Sequence, residues 1–462
     1  MSSKRATLWL STANEAVRFG RDAYSDAVRP GLTIRPAQDR SQRADGEEGV
    51  MDWVACVGID WADQQHAFAV REAGGGEYEG RVGSDPESVH EWVAQLRERY
   101  REGWIVVGLE QSRGPLLYAL ASYDFLILVP INPRAASSYR DSLRLSGAKD
   151  DPVDAALIRD FVAGHLSRLR AWRPDAAITR KLRLLCESRR KFVDRRTALT
   201  HELSAALKSY FPQALQWFGA ETSALLRRVL ERWPTLRQLR EASAEDLVPV
   251  IRKSSRKKAP AIDELVVQIR LAVPLTEDEA IVETSATLVQ SLIPLIDQTS
   301  AAVRRYDSLI AQLWAEHPDR ALFESFPGAG PVLAPRLELS FGNDRNRYAD
   351  ASELQNYSGI APVIESSGKQ RWVHCRWQCP KFLRQTFHEF AECSIPHCDW
   401  ARAFYQQQRE RGAGHHEAIR ALAFRWIRIL FRCWKENTPY DEERYLQALR
   451  RRGSALVDRI AA

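Results

Sequence analysis

The pattern of hydrophobic and polar positions divides the chain into a strand-rich first part and a helical remainder. In the first part, short apolar runs typical of strands alternate with stretches of helical periodicity. Three strands followed by alternating helices and strands predict one α/β domain over residues 51–170. The predicted strands are 53–60, 65–72, 77–83, 104–110 and 125–130. The predicted helices are 86–101, 114–122 and a segment ending near residue 164.

Four acidic residues lie at the ends of these elements. The order of elements is that of a domain of the RNase H or RuvC type, with the first strand central and the fourth beside it. Asp60 ends the first strand, Glu110 ends the fourth, and Asp151 and Asp154 open the last helix. Hard divalent cations take carboxylates from several elements, so the four acids predict a Mg²⁺ site for cutting nucleic acid. Asp150 remains an alternative to Asp151, because it lies four residues before Asp154.

Residues 176–315 show helical periodicity throughout, with an insert at 215–280. Two stretches have a 3.5-residue repeat and predict a coiled-coil connector. Two arginines, Arg189 and Arg196, occupy seam positions of the first stretch. Because Pro294 also interrupts the second stretch, an ordinary packed helix is an equal alternative. The seam predicted for the second stretch is Leu288, Leu292, Leu295, Thr299, Ala302, Tyr306, Leu309 and Leu313.

A mainly α-helical domain is predicted over residues 320–450, followed by a tail at 451–462. Its first turn contains Gly328 and Gly330 and resembles the hairpin of a helix-hairpin-helix, where glycines let backbone N–H groups approach a phosphate. Such a turn more often only separates two helices. Its position in a basic chain favours the alternative that it binds phosphate. Residues 1–50 lack sustained apolar periodicity and predict a disordered extension, with Met51 as an alternative natural start.

Composition indicates the compartment of the protein, the charge of its partner and the state of its cysteines. The apolar runs fall short of the ~20 residues of a membrane-spanning helix, which predicts a cytoplasmic protein. The net charge is +6, and basic runs recur in the later part of the chain, which suits a polyanionic partner. Seven scattered cysteines indicate free thiols in a reducing compartment. A zinc site is the less favoured alternative, with the donors Cys375, Cys379, Cys393, Cys398, His374 and His397.

A second group of candidate residues surrounds the sequence Ser366-Ser367-Gly368-Lys369. A serine hydroxyl in an exposed turn near Lys369, Arg371 and Arg376 could attack a phosphate if cations neutralise the developing charge. Serine-glycine pairs are everyday loop residues. The composition of this segment by itself therefore favours an ordinary turn.

Several motifs in consistent order resemble the insertion sequence 110/116/902 transposases, a family that includes the pilin-gene invertases. The resemblance covers roughly residues 53–450. It implies a DEDD domain of RNase H/RuvC type, a coiled-coil connector and a C-terminal transposase domain with a nucleophilic serine. The motifs are Gly58-Ile59-Asp60, the strand end at Glu110, Lys149-Asp150-Asp151-Pro152-Val153-Asp154-Ala155, Phe326-Pro327-Gly328-Ala329-Gly330, Gly359-Ile360-Ala361-Pro362 and Ser366-Ser367-Gly368-Lys369.

The resemblance also implies a mechanism and partners. Ser367 takes the nucleophile position, with Ser366 as the alternative, in a Mg²⁺-dependent DNA recombinase. Several family members choose target and donor DNA with a bridge RNA encoded by the element. The family implies at least a homodimer, and a tetramer during strand exchange, associated with the bacterial nucleoid. The implied metal positions are Asp60, Glu110, Asp151 and Asp154.

Contacts to nucleic acid are expected around the serine and the glycine turn. Many relatives follow the serine motif with a Lys-x-Gly-Asn segment before Leu-Arg, whereas this chain has a different segment before Leu383-Arg384. Two other functions remain open: a RuvC-like nuclease that uses water, and a catalytically inactive nucleic-acid-binding protein. The expected contact residues are Lys369, Arg371, Arg376, Lys381, Arg384, Gly328 and Gly330.

Overall fold

The protein forms two compact units, the first ending at Pro174 and the second beginning at Asp175. The first unit contains a six-stranded sheet, and the second is mostly helical. The prediction of an α/β domain followed by a mainly helical region is confirmed at this level. The computed structural model describes residues 33–36, 50–101, 103–110, 114–143, 151–220, 222–254, 259–368 and 370–461.

The sheet of the first unit has the strand order β4-β3-β2-β5-β6. Strand β2 is antiparallel to β3 and parallel to β5, so the first predicted strand is central and the fourth lies beside it. The strands are β1 (Thr33–Pro36), β2 (Val50–Asp60), β3 (Gln65–Glu72), β4 (Glu77–Gly83), β5 (Trp104–Leu109) and β6 (Leu126–Pro130). The α-helices described in this unit are α1 (Pro86–Arg99), α2 (Pro115–Leu120), α3 (Pro133–Leu143) and α4 (Asp151–His165).

Strand β1 lies within the segment that was predicted to be a disordered extension. It pairs in parallel with the first four residues of β2, from Thr33 opposite Val50 to Pro36 opposite Trp53. These residues of β2 extend beyond its pairing with β3, which starts at Ala55. The backbone N–H and C=O groups of an unpaired strand edge need hydrogen-bond partners. Strand β1 supplies these partners for the residues of β2 that do not pair with β3.

Side chains of β2 and β5 alternate between two covered faces of the sheet. Val57 and Val107 are buried on the face that carries α1 and α2. Cys56 and Val106 are buried on the opposite face, with residues of α3 and α4. Burial on both faces explains why these strands are nearly continuous apolar runs in the sequence.

The second unit is built from fifteen described α-helices and one hairpin. The helices are α5 (Ala177–Tyr210), α6 (Gln213–Phe218), α7 (Ala224–Arg232), α8 (Leu236–Glu241), α9 (Ala244–Ser254), α10 (Ala259–Leu271), α11 (Glu279–Ala315), α12 (Arg320–Glu324), α13 (Gly330–Phe341), α14 (Ala351–Tyr357), α15 (Lys381–Ser394), α16 (Asp399–Glu410), α17 (His415–Glu436), α18 (Glu442–Arg451) and α19 (Leu456–Ala461). The hairpin strands are β7 (Val363–Ser367) and β8 (Gln370–His374).

The long helices α5 and α11 pack side by side in opposite directions. The rings of Phe192 and Tyr306 lie 5.6 Å apart, and Arg189 Nε is 2.5 Å from Asp307 Oδ1. Towards the other end, the hydroxyls of Ser209 and Ser285 are 3.4 Å apart. The structure therefore contains an antiparallel helix pair, and the prediction of a coiled coil stays a prediction. Arg189 is accommodated at its seam position because an acid faces it.

The register predicted for α11 agrees with the packing only in part: Leu292 is buried, and Tyr306 and Leu313 pack against the core. Leu288, Leu295 and Leu309 are exposed, although they were assigned to the seam. The buried side instead contains Val289, Ile296, Val303 and Ile310. Because α11 is apolar on more than one side, its sequence allows two seven-residue stripes, and the packing of its neighbours decides which one is buried.

The two ends of region 176–315 share a hydrophobic core with region 320–450, although the two regions were predicted as separate domains, whereas residues 203–296 form a second buried cluster. Leu182 of α5 and Trp314 of α11 belong to the same buried cluster as Phe323 and Trp426. Leu456, in the predicted tail, is buried in this cluster as well. Of the described helices, α11 is long and apolar enough to cross a membrane, a property that core helices of globular proteins share.

Candidate active site

Two paired glycines bring helix α4 directly onto the sheet. Gly58 of β2 is the register partner of Gly108 of β5. A Cβ atom on Gly58 would lie 2.1 Å from the carbonyl oxygen of Ala155 and 2.4 Å from the backbone nitrogen of Arg159. A Cβ atom on Gly108 would lie 2.5 Å from Cγ2 of Val162. The close approach of α4 to β2 and β5 therefore requires glycine at both positions.

The close packing of α4 brings acids from three elements to one edge of the sheet. Asp60 and Glu110 each follow one of the two glycines by two residues, and therefore lie on the face that α4 covers. Asp154 lies in the first turn of α4, next to Ala155, and is only 2% exposed. Asp60, Glu110 and Asp154 thus lie at the carboxyl ends of two parallel strands, an edge where α/β sheets commonly bind ligands. Their carboxylate oxygens do not all lie within 4.8 Å of one another.

An arginine of α3 joins two of these acids. Arg140 Nε is 2.7 Å from Asp154 Oδ1, and Arg140 Nη2 is 3.7 Å from Glu110 Oε1. Sequence reasoning missed Arg140, because a lone arginine on a helix that precedes α4 carries no pattern of its own. The two ion pairs locate Glu110 and Asp154 around one guanidinium group.

The arrangement suits a hard divalent cation. Asp154 Oδ2 is buried and has no hydrogen-bond partner in the described part of the chain. A buried carboxylate oxygen is normally satisfied, and oxygen ligands of this kind are what Mg²⁺ and similar ions take. Asp60, Glu110 and Asp154 are therefore candidate ligands of such an ion. Asp151 opens α4, but its side chain, like the whole of Asp150, lies outside the described residues.

The candidate nucleophile lies at the tip of the β7–β8 hairpin. Ser367 is the last residue of β7 and pairs with Gln370, across a turn in which Gly368 has a φ of +58°. Such a left-handed residue is typical of two-residue hairpin turns. The register pairs Arg371 with Ser366, not with Ser367. Directly opposite residues share a face, so Arg371 flanks the alternative serine more closely than the favoured one.

The hairpin exposes an unusual amount of apolar surface. Val373 is 63% exposed, and Trp377 just beyond the hairpin is 78% exposed. Ile364 and Trp372 are also exposed. Exposed apolar patches next to polar residues mark surfaces that contact another molecule. The hairpin therefore has the composition of a contact surface around Ser367.

Some residues expected to contact nucleic acid are engaged within the protein. Arg376 Nη2 donates to Asn356 Oδ1 at 3.1 Å, and Arg384 Nη1 donates to the carbonyl oxygen of Arg376 at 3.5 Å. Lys381 is exposed at the start of α15, and Lys369 lies outside the described residues. Hydrogen bonds from Arg376 and Arg384 thus help to hold the divergent segment before Leu383-Arg384 in place.

Gly328 has a structural explanation that the sequence did not indicate. Its φ is +77°, and a Cβ atom there would lie 2.4 Å from the carbonyl oxygen of Cys393 in α15. Glycine is needed at this position for packing. Gly330, which begins α13 with a φ of +54°, has open space around its Cα. Phosphate binding by this turn stays a prediction, with Gly330 the more accessible of the two glycines.

Sequence comparison covers both groups of candidate residues. The chain matches a DEDD transposase family of IS110 type over residues 57–212, and the transposase family IS116/IS110/IS902 over residues 320–406. The chain belongs to the IS110/IS116/IS902 family of transposases. The first match includes the four acids, and the second includes the β7–β8 hairpin of this transposase.

Several relatives of this transposase align along most of their length. A mini-circle protein of Streptomyces coelicolor, named as a transposase for IS117, is 27% identical over 84% of this chain and 95% of its own. A protein of insertion element IS116 from Streptomyces clavuligerus is 25% identical over 81% of this chain and 93% of its own. A protein of IS900 from Mycobacterium paratuberculosis is 26% identical over 78% of this chain and 90% of its own.

The cysteines of the transposase are free thiols, and they have separate partners. Cys375 Sγ accepts from Arg420 Nη1 at 2.7 Å, and Cys398 Sγ lies 3.5 Å from Glu442 Oε1. Cys379 packs against Gly359, where a Cβ atom would lie 2.3 Å from its sulfur. Among the described residues, the one group of metal-binding side chains close together contains no cysteine.

That group consists of His317, Asp319 and Glu338 in the helical unit, all buried. His317 Nδ1 accepts the backbone N–H of Asp319 at 3.2 Å, so Nε2 carries the proton of the neutral ring. Nε2 faces the Thr179 hydroxyl at 2.9 Å and Glu338 Oε1 at 3.6 Å. Burial lowers the pKa of His317 and raises the pKa of Glu338 to about 8. A protonated Nε2 does not bind a metal, so the geometry indicates a neutral polar cluster.

The buried carboxyl of Glu338 predicts a stability that falls with pH. Its pKa rises from 4.5 to about 8 on folding, so the folded protein holds this proton while the unfolded chain has lost it. Stability is therefore fully present below about pH 4.5 and is lost progressively towards pH 8. Glu338→Gln keeps a neutral group at all pH values. We expect the free energy of unfolding of Glu338→Gln to exceed that of the wild type by about 5 kcal/mol at pH 9.

Urea unfolding at pH 5 and pH 9 measures this difference. At pH 5 the two proteins should differ little, because Glu338 is then protonated in the folded state. The exposed Glu316, replaced by Gln, is the matched control and should follow the wild type at both values. A Glu338→Gln protein that is less stable than the wild type at pH 9 would show that folding does not raise the pKa of this carboxyl.

Proposed function

We propose that this transposase cuts and rejoins DNA at the ends of a mobile element by attack of Ser367 on a phosphodiester. The observation that supports this most is the position of Asp60, Glu110 and Asp154 at one edge of the sheet, with a buried oxygen of Asp154 that has no hydrogen-bond partner among the described residues. The strand order also supports an RNase H/RuvC-like domain. Mg²⁺ bound by these acids and Asp151 would neutralise charge on the phosphate.

The serine step forms one bond and breaks one. The Ser367 oxygen bonds to phosphorus and gives its proton to solvent or a nearby base, while one phosphorus–oxygen bond of the DNA backbone breaks. The departing sugar oxygen takes up a proton and becomes a free hydroxyl. Attack of a sugar hydroxyl from another strand on the serine-linked phosphate then restores a phosphodiester and frees the serine.

The exposure of the hairpin supports a composite site. Ser367 lies at an exposed tip beside Trp372 and Val373, which a binding partner would cover. We therefore include in the proposal a homodimer at least, and a tetramer during strand exchange, in which one subunit supplies the acids and another the serine. Selection of DNA by a bridge RNA, as the family resemblance implies, completes the proposal for a cytoplasmic, nucleoid-associated enzyme. Sequencing RNA that co-purifies with the protein tests this last part.

Replacing an acid tests the metal role. We expect Asp60→Asn to lower Mg²⁺-dependent cleavage of DNA spanning the element ends by about 10²-fold or more, because the amide cannot supply the charge that the ion needs. The assay titrates Mg²⁺ against labelled DNA. Asp63→Asn, at an exposed acid in the loop that follows β2, is the control and should cleave like the wild type. Equal cleavage by Asp60→Asn and the control would remove Asp60 from the metal site.

A further inference from the structure

A large cleft in the helical unit lies between α16, α17 and α18. It has a volume of about 750 Å³. Most of its charged side chains are arginines, and we refer to it as the arginine cleft. The residues that line the cleft start at Phe404, and the second family match ends at residue 406. Nearly all of the cleft therefore lies outside the matched region. Its arginines are Arg425, Arg428, Arg432, Arg444, Arg451 and Arg452.

The arginine cleft carries a surplus of positive charge. Arg432 Nε is paired with Glu436 Oε1 at 3.0 Å. The other five arginines have no carboxylate within ion-pair distance among the residues that the structure describes. The remaining acid of the lining, Asp441, caps α18 by accepting the backbone N–H of Arg444 at 3.0 Å. Concentrated arginines without acidic partners indicate a polyanionic ligand.

The arginines form two rows that face each other across the cleft. On α17, positions 425, 428 and 432 are three and four residues apart and lie on one side of the helix. On α18, positions 444 and 451 are two helical turns apart and also share a side. A row of guanidinium groups on each wall suits a ligand that presents a line of phosphates.

Aromatic side chains lie between the two rows. Phe424 is exposed in the wall of the cleft, and Phe404 and Tyr445 also line it. Arg425 Nε donates to the Tyr445 hydroxyl at 2.8 Å, and its guanidinium lies 5.0 Å from the centre of the Phe404 ring. Proteins that bind single-stranded nucleic acid combine a basic groove with aromatic faces on which bases stack.

We propose that the arginine cleft binds a single strand of DNA. The aromatic side chains between the arginine rows favour a single strand, because its unpaired bases are free to stack on them, and an acidic peptide would leave the aromatic faces unused. DNA is the nucleic acid on which a transposase acts, so the inference rests on the proposed function for its choice of DNA over RNA. A strand separated near the element ends would then be held by phosphate contacts to both walls and by stacking on Phe424.

Binding of a labelled 20-nucleotide deoxythymidine strand to the full-length protein tests the inference. We expect the combined variant Arg428→Gln, Arg444→Gln and Arg451→Gln to bind at least about 10-fold more weakly, with the slope of log K against log salt reduced by about 2. We expect Phe424→Ala to weaken binding about 5-fold, because one stacking contact is lost. Thermal melting should be unchanged for the arginine variant, since the three side chains are exposed.

The matched control removes the same charge elsewhere. Arg237→Gln, Arg240→Gln and Arg252→Gln are exposed positions of the helical insert, and this variant should bind within about 2-fold of the wild type. Equal losses of affinity in the two triple variants would show that binding depends on the total positive charge of the protein and not on the cleft. That result would overturn the proposal. Tighter binding of a uridine RNA strand or of duplex DNA than of the deoxythymidine strand would overturn it as well. A wild-type protein that binds the strand but forms no serine adduct would contradict the proposed function alone.

Discussion

Ser367→Ala is expected to abolish the covalent protein–DNA adduct, lowering its yield by about 10³-fold or more, because alanine has no oxygen to bond to phosphorus. Ser367 is at the exposed tip of the β7–β8 hairpin, where the change removes no buried contact. Labelled DNA spanning the element ends, analysed on a denaturing gel after incubation with Mg²⁺, measures the adduct directly.

Ser366→Ala is the matched control, one residue earlier in the same strand. Ser366 is the register partner of Arg371, so its side chain lies on the opposite face of the hairpin from that of Ser367. We expect this variant to keep the adduct. If adduct formation is lost in Ser366→Ala and kept in Ser367→Ala, the nucleophile is Ser366. Free ends without any adduct in the wild type would favour a nuclease that uses water.

Gly58→Ala is expected to destabilise the α/β unit by about 3–5 kcal/mol, with loss of DNA cleavage. The new methyl group would fall 2.1 Å from the carbonyl oxygen of Ala155 and 2.4 Å from the nitrogen of Arg159. Both are backbone atoms of α4, so no side-chain rotation relieves the overlap. Helix α4 would have to move away from β2, and Asp154 would move with it away from Asp60.

Urea unfolding and the Mg²⁺-dependent cleavage assay together check this result. Gly74→Ala is the control, because its Cβ atom would meet no atom within 4 Å. We expect that variant to stay within about 0.5 kcal/mol of the wild type and to cleave normally. A Gly58→Ala protein with wild-type stability would mean that α4 does not rest on β2 at this point.

The strands of the sheet could be predicted from the sequence because their signals are local. Strands β3 and β4 have the bounds expected from alternation and from the glycine-rich turn between them. The central position of β2 beside β5 also followed, since the order of strands and helices allows few topologies. The edge strand β1 escaped prediction, because four residues without periodicity become ordered only by pairing with β2.

Long-range packing was less accessible to sequence reasoning. The stripe of α11 that is buried depends on the surfaces of neighbouring helices, and the helix itself has two apolar stripes. The neutral cluster of His317 and Glu338 was missed, because its members come from different helices and have no spacing in common. The glycine at position 328 was interpreted as a phosphate contact, whereas its neighbour in the fold is the backbone of α15.

By itself, the sequence determined the α/β unit, the helical remainder, the family and the candidate acids and serine, because strand periodicity and short motifs are properties of neighbouring residues. Only the tertiary structure decided which groups surround them. The pairing of Gly58 with Gly108 lets α4 lie on the sheet, and this contact, with Arg140 from α3, brings Asp154 to Glu110. Such proximity depends on the packing of elements far apart in the chain, and no local pattern of residues contains it.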